Sequence, residues 1–271
     1  MFLLYPNNNS NAGVSDKIAC RNTIGVLYTG GTMQIKIIYE DAHILVAHKP
    51  AGLATQSAKV GQPDMVSELK NYLAGQQSKQ KNNQMNNSKK AATPYLGIIH
   101  RLDQPVEGLL VFAKTKAAAG KLTAQLAGGT LNKQYYAIVC GQPVKETGEL
   151  VDYLCKEGNV SKISNAQDQE AKEAVLQYQT VSVRQSEDNQ DISLLDVHID
   201  TGRFHQIRAQ LANAGWPILG DSKYGSEKSM EVSKKCKIRN VALYAYRLEL
   251  KHPVTEKKLE FNIKPKMLMN P

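Results

Sequence analysis

Two apolar runs, Ile98–Ile99 and Leu109–Phe112, flank a bend that carries His100, Arg101, Asp103, Pro105, Glu107 and Gly108. Runs this short, bounded by Pro and Gly, suit buried strands rather than helices. A chain written this way has to lay the strands in a sheet and bring four ionisable side chains to the turn between them. The bend admits two readings. Asp103, two residues before Pro105, can close an Asx-turn with its own carboxylate. Alternatively, the bend displays Asp103 and Arg101 at a cleft, where loops held by rigid strands carry chemistry.

Strand signals recur along the chain. "IIYED" and "ILVAHKPAG" read as a hairpin with strands at 34–39 and 44–48, the first convincing strand stretch beginning at Met33 and the second ending at Pro50-Ala51-Gly52. Further strands are expected over Lys133–Gly141, 174–183, 192–200 and 241–250. Helices are expected at three places. In 64–74, Met65, Val66, Leu69, Tyr72 and Leu73 share a face. The second runs from Ala117 to Leu126 and closes at Gly128-Gly129. Thr201 can cap the third, from Gly202 to about Asn213, with Phe204, Ile207 and Leu211 on one face and His205 and Arg208 on the next. Strands outnumber helices and look adjacent and antiparallel, so the expected class is α+β.

Two segments stand apart. Residues 1–32, rich in Asn, Ser, Gly and Thr, read as a disordered leader or a non-native extension. Residues 75–92 are nearly devoid of apolar side chains and read as a disordered loop. The net charge of +9 is unevenly spread: the loop holds Lys79, Lys81, Lys89 and Lys90 with no acid, so the rest is only mildly basic. This balance permits a polyanionic partner without establishing one.

Several classes are excluded. No apolar run is long enough for a membrane span, and "MFLLYPNNNSN" is too short in apolar residues and too poor in basic ones for a signal peptide. Cys20, Cys140, Cys155 and Cys236 form no C-x-x-C pair, which argues against a zinc or redox site and suits a reducing cytoplasm. The chain has no Walker loop, G-x-G-x-x-G, G-x-S-x-G or H-E-x-x-H. With no serine elbow to accompany it, His100 is read as a satisfied structural residue.

Four stretches in order, "IIYEDAHILVAHKPAGL", "GIIHRLDQPVEGLLVFAK", "KQYYAIVCG" and "DTGRFHQIRAQLANAGWPILGDSKYG", followed by "ALYAYRLELKHPVTEKKLEF", closely resemble the RluA-like family of pseudouridine synthases over residues 34 to about 263. The resemblance implies a mixed, largely antiparallel sheet with flanking helices and a central cleft, in one catalytic domain over 33–268. It implies cofactor-free, metal-free isomerisation of uridine to pseudouridine in ribosomal or transfer RNA; a monomer is expected, with no obligatory protein partner evident in the sequence. Asp103 of H-R-L-D is then the nucleophile or base, Arg208 the cation that keeps it ionised, and Tyr135 of K-x-Y-x-A the ring that stacks on uracil and helps remove the carbon-5 proton. Tyr136, on the opposite face of that strand, is expected in the core. Ile207 packs against the base, Arg101 holds the flipped nucleotide out, and Lys49 and Arg203 contact phosphate.

The sequence departs from the family after H-R-L-D, where Val106 and Glu107 stand in place of Thr and Ser, and at Leu243-Tyr244-Ala245, where the family has Leu-His-Ala. An acid at Glu107 is expected to repel nearby phosphate. Two rival readings stand beside the resemblance: a non-catalytic RNA-binding protein or folding helper on the same scaffold, motivated by Val106 and Glu107, and a hydrolase pairing Asp103 with Glu107.

Overall fold

The computed structural model describes residues 26–28, 35–57, 59, 61–82, 93–186 and 189–265. The chain opens with β1 (Val26–Tyr28), β2 (Ile35–Glu40), β3 (Ile44–Lys49) and α1 (Met65–Asn82). It continues through β4 (Gly97–Ile98), β5 (Glu107–Ala113), α2 (Lys116–Ala127) and β6 (Asn132–Cys140). Then come β7 (Thr147–Glu157), β8 (Val160–Ser164), β9 (Lys172–Gln185) and β10 (Asp191–Ile199), and last α3 (Gln206–Asn213), α4 (Glu227–Lys235), β11 (Leu243–Lys251) and β12 (Lys258–Asn262).

The strands form a single sheet in the order β1-β2-β3-β5-β11-β6-β10-β9-β7-β8, with β12 added to β11 and β4 to β5. Among the described residues every strand pairing is antiparallel except β5 with β11, where Tyr244 faces Glu107 and Ala245 faces Gly108. Gly108 is required there: at φ 147° a Cβ would stand 2.6 Å from the backbone nitrogen and oxygen of Ala245. Alternate residues of the central strands feed two cores. Leu45, Ala47, Leu110 and Phe112 enter one with α1 and α3, while Ile44, Val46, Leu109 and Val111 enter the other with α2 and β12. Burial on both faces explains why these strands read as unbroken apolar runs rather than alternating ones.

The α+β sheet with flanking helices is as expected, and three local expectations are corrected. The segment 75–92 is not a loop throughout, since α1 runs on to Asn82. Its first turns are anchored by buried Met65, Val66, Leu69, Tyr72 and Leu73, and Gln and Lys, good helix formers, propagate it without needing a core of their own. Residues 83–92 lie outside the described residues. Within the leader, Val26–Tyr28 is a strand paired antiparallel to β2, and its other residues and the expected start at Met33 lie outside the described residues. Thr201 caps no helix: α3 starts at Gln206, and the Thr201 hydroxyl donates to the Gln206 side chain at 2.8 Å while accepting from the Val175 amide at 3.0 Å.

Candidate active site

The bend between β4 and β5 is built by backbone, and this decides between its two readings. The Val106 amide donates to the Asp103 carbonyl at 3.0 Å, closing a turn with Pro105 inside it. The Asp103 carboxylate takes no part in the turn and instead meets Arg208, whose Nη1 donates to Oδ2 at 3.0 Å. Residues 102–104 are also tied to the segment after β3. Thr55 Oγ1 donates to the Leu102 carbonyl at 2.9 Å and accepts from its amide at 3.2 Å, and the Gly52 amide donates to the Gln104 carbonyl at 2.8 Å.

Lys49 belongs to the same brace, and its expected phosphate contact is incorrect. It is 0% exposed, and Nζ donates to the carbonyls of Leu53, Gln104 and Pro50 at 2.6, 3.0 and 3.1 Å. Burial pushes its pKa down to about 7, opposed by the charges of Asp103 and Glu107. All three protons are committed to carbonyls, so none is left for a nucleic acid.

Arg208 is held from two sides. It is 3% exposed, and Asp221, fully buried, receives both Nε and Nη2 at 2.7 Å. Such a two-pronged grip fixes the guanidinium plane and leaves Nη1 for Asp103. Burial alone would lower the Arg208 pKa, but the hydrogen bonds and charges of Asp221 and Asp103 prevail and raise it. One cation thus serves two carboxylates, so the trio formally carries one net negative charge, with Asp103 as the carboxylate that lines the cleft. Gly220 makes the turn that delivers Asp221: at φ 75° a Cβ would lie 2.1 Å from the Asn240 carbonyl oxygen.

Asp103, Arg208, Tyr135, Ile207, Arg101 and Arg203 all line one cleft of about 710 Å³. Tyr135 is buried on β6, and burial, followed by the charge of Asp103, drives its phenol well above the ordinary range, so the hydroxyl keeps its proton. Tyr136, on the other face, stacks on Tyr246 at 3.9 Å and packs against the core as expected. Ile207 is buried beside Arg208, whereas Arg101 is exposed at the rim. Arg203 is exposed too, its Nε donating to the Glu173 carbonyl at 2.8 Å. His100 is structural as expected but only half satisfied. Its Nε2 accepts from the Val111 amide at 3.4 Å, Nδ1 is buried without a partner, and burial lowers its pKa to about 3.

Glu107 does not behave as the bend suggests. It is absent from the cleft lining and pairs with His48 Nε2 at 2.9 Å. The repulsion of phosphate expected from Glu107 therefore has no source in the cleft lining, and the hydrolase reading loses its second carboxylate. Asp221, Tyr224 and His205 were missed as site residues by sequence reasoning. Their signal was the stretch "GDSKYG" and the His of "GRFHQIR", both inside quoted motifs but without an assigned task.

Known proteins share this architecture. The model of the RNA pseudouridylate synthase family matches residues 43–213. The ribosomal large subunit pseudouridine synthase D of Zymomonas mobilis is 32% identical over 233 residues, covering 84% of this chain and 68% of that protein. The ribosomal large subunit pseudouridine synthase C of Rickettsia bellii is 33% identical over 199 residues, 73% of this chain, and the match spans 59% of its own length. The human RNA pseudouridylate synthase domain containing 4 structure superposes with a TM-score of 0.62 at 24% identity, covering 86% of this chain and 90% of that one. This last likeness shows the fold, and the sequence matches show the lineage. The chain belongs to the RNA pseudouridylate synthase family, within its RluA-like group.

Proposed function

We propose that this protein isomerises uridine to pseudouridine in RNA, with large-subunit ribosomal RNA as substrate, acting as a cytoplasmic monomer. The observation that carries the reading is the Asp103 carboxylate held at 3.0 Å by a buried, doubly anchored Arg208 in a cleft lined by Tyr135 and Ile207. The ribosomal preference is inferred from the relatives, two of which are named for the large ribosomal subunit.

The reaction breaks the bond from ribose carbon 1′ to uracil N1 and forms one from carbon 1′ to carbon 5. Carbon 5 releases a proton and N1 gains one, so atoms and electrons balance without an oxidant or reductant. Asp103 attacks carbon 1′ to give a sugar ester, or takes the carbon-2′ proton to give a glycal and later returns it. Both routes need an ionised carboxylate, which Arg208 pairs with and orients. Tyr135, kept protonated, stacks on the uracil and donates a hydrogen bond to it; a phenolate base at that position is disfavoured by the same burial. Arg101 at the rim holds the extracted nucleotide out, and Arg203 contacts phosphate. The net negative charge of the Asp–Arg–Asp trio complements the electron-poor sugar formed as the base departs.

The test is tritium release from transcribed large-subunit ribosomal RNA labelled at carbon 5 of uridine, with transfer RNA in parallel. Release from ribosomal RNA that disappears in Asp103→Asn supports the reading. Release from transfer RNA alone would move the substrate, and no release from either would return the protein to RNA binding without catalysis.

A further inference from the structure

His205 stands in a left-handed backbone conformation, φ 51°, immediately before α3. For a residue with a Cβ this region is sparsely populated and strained. No side-chain capping bond compensates. The conformation turns the imidazole inward, leaving 8% of the residue exposed. The ring stacks on Phe204 at 3.8 Å and meets Tyr224 edge-on at 5.6 Å.

The two ring nitrogens face different partners. Nδ1 is 2.8 Å from the Tyr224 hydroxyl, and Nε2 is 3.6 Å from Oδ2 of Asp103. Which nitrogen carries hydrogen follows from Tyr224. Its oxygen already accepts the Ser161 amide at 2.6 Å, so its own hydrogen is directed to Nδ1. Nε2 then carries the hydrogen and aims it at the carboxylate. The other tautomer would point a lone pair at a negative oxygen and crowd two N–H donors onto one phenol. Protonation of both nitrogens is also disfavoured. Burial lowers the pKa of His205 to about 4, opposed by Asp103, aided by Arg208 and Lys223, and opposed again by Asp221.

Arg208 and His205 both reach the same oxygen of Asp103, Oδ2. We propose that His205 is a positioning residue for Asp103. Held as the Nε2–H tautomer by the Ser161–Tyr224 chain, it joins Arg208 in fixing Oδ2, so that Oδ1 alone is presented to the ribose. This inference rests on Asp103 being the reacting group. The 3.6 Å separation is an electrostatic contact, of the kind that tightens into a hydrogen bond when substrate closes the cleft. The strained backbone is what keeps the imidazole there.

The experiment uses the full chain labelled with nitrogen-15 in histidine, and turnover of transcribed large-subunit ribosomal RNA. The His205 signals are expected to show a single Nε2–H tautomer that stays neutral to about pH 5, and Tyr224→Phe should mix the two tautomers. In turnover, Tyr224→Phe should lower kcat by about 10-fold with KM unchanged, and His205→Leu by about 100-fold. His205→Gln, whose amide can still donate to Oδ2, should recover part of the loss. An Nδ1–H tautomer in the wild type, or full kcat in both Tyr224→Phe and His205→Leu, overturns the proposal. If His205→Leu does not fold, Tyr224→Phe, which deletes one oxygen atom, decides the matter alone. An inactive Asp103→Asn beside a fully active His205→Leu leaves the proposed function standing and removes this inference. An active Asp103→Asn removes both, although the tautomer would still be seen.

Discussion

Asp103 and Glu107 sit four residues apart on the same bend, and the fold sends them to opposite ends of a chemical scale. Asp103 faces the cleft, gripped on one oxygen by a buried guanidinium that is itself clamped by Asp221. Glu107, at the first residue of β5, turns away and is paired with His48, both side chains about one-fifth exposed at 21%. The residue types are nearly interchangeable, yet only one carboxylate is aimed at a cavity large enough for a nucleotide. What each carboxylate is placed to do is a property of its surroundings: which face of the strand, which partner, and how firmly that partner is held.

The widest separation between the two carboxylates should be seen in turnover. Asp103→Asn leaves the Arg208–Asp221 pair intact, so the fold should persist while tritium release falls by roughly 1000-fold or more. Substantial release from the folded variant would end the proposed role of Asp103. Arg208→Met should be inactive for a second reason as well. It strands the fully buried Asp221, and removing one partner of a buried ion pair costs about 3–5 kcal/mol, readable in the urea midpoint. A variant of unchanged stability would show that water reaches Asp221 freely.

The brace under the bend gives the next effect. Lys49→Met removes the donor to three carbonyls and should lower stability by about 2–3 kcal/mol, with lost turnover following from a displaced Asp103. A loss confined to RNA affinity at full stability would restore the phosphate-contact role rejected above. Acidity should weaken the fold through His205 and His100, both neutral in the folded chain. Below about pH 6.5 the unfolded chain takes up protons that the native state refuses until about pH 4 and 3. Stability therefore falls as pH drops through that window, by at most about 1.4 kcal/mol per pH unit for each group. A flat urea midpoint from pH 6.5 to 4.5 would contradict the assignment. Glu107→Gln should do least. It loosens a partly exposed pair worth about 1 kcal/mol or less and should leave kcat within about twofold. A large loss of kcat would place Glu107 in the site after all and erase the contrast.

Much of this is legible in the sequence. The apolar runs of β3 and β5 announce strands buried on both faces, and the spacing from Met65 to Leu73 announces the start of α1. The match of "IIHRLD" and "GRFHQIR" to a family joined Asp103 to Arg208 across 105 positions before any distance was known. Lys49 was misjudged because a lysine beside Pro-Ala-Gly looks the same in sequence whether its ammonium meets water or three carbonyls. Thr201 was misjudged because a hydroxyl before a helical pattern caps only when the backbone turns at once, and here the chain runs on through a left-handed His205 first.

The sequence by itself determined the class of fold, the order of its strands' signals and the side chains able to perform the chemistry, because periodicity, turn residues and motif spacing are local properties written along the chain. The tertiary structure alone decided which of two neighbouring carboxylates faces the cleft, that Asp221 shares the arginine, that the Lys49 ammonium meets three carbonyls, and which partners the two nitrogens of His205 face. Those outcomes depend on burial and on partners brought together from distant segments. Charge and hydrogen-bond direction are set by what surrounds a group in space, and no local pattern encodes that.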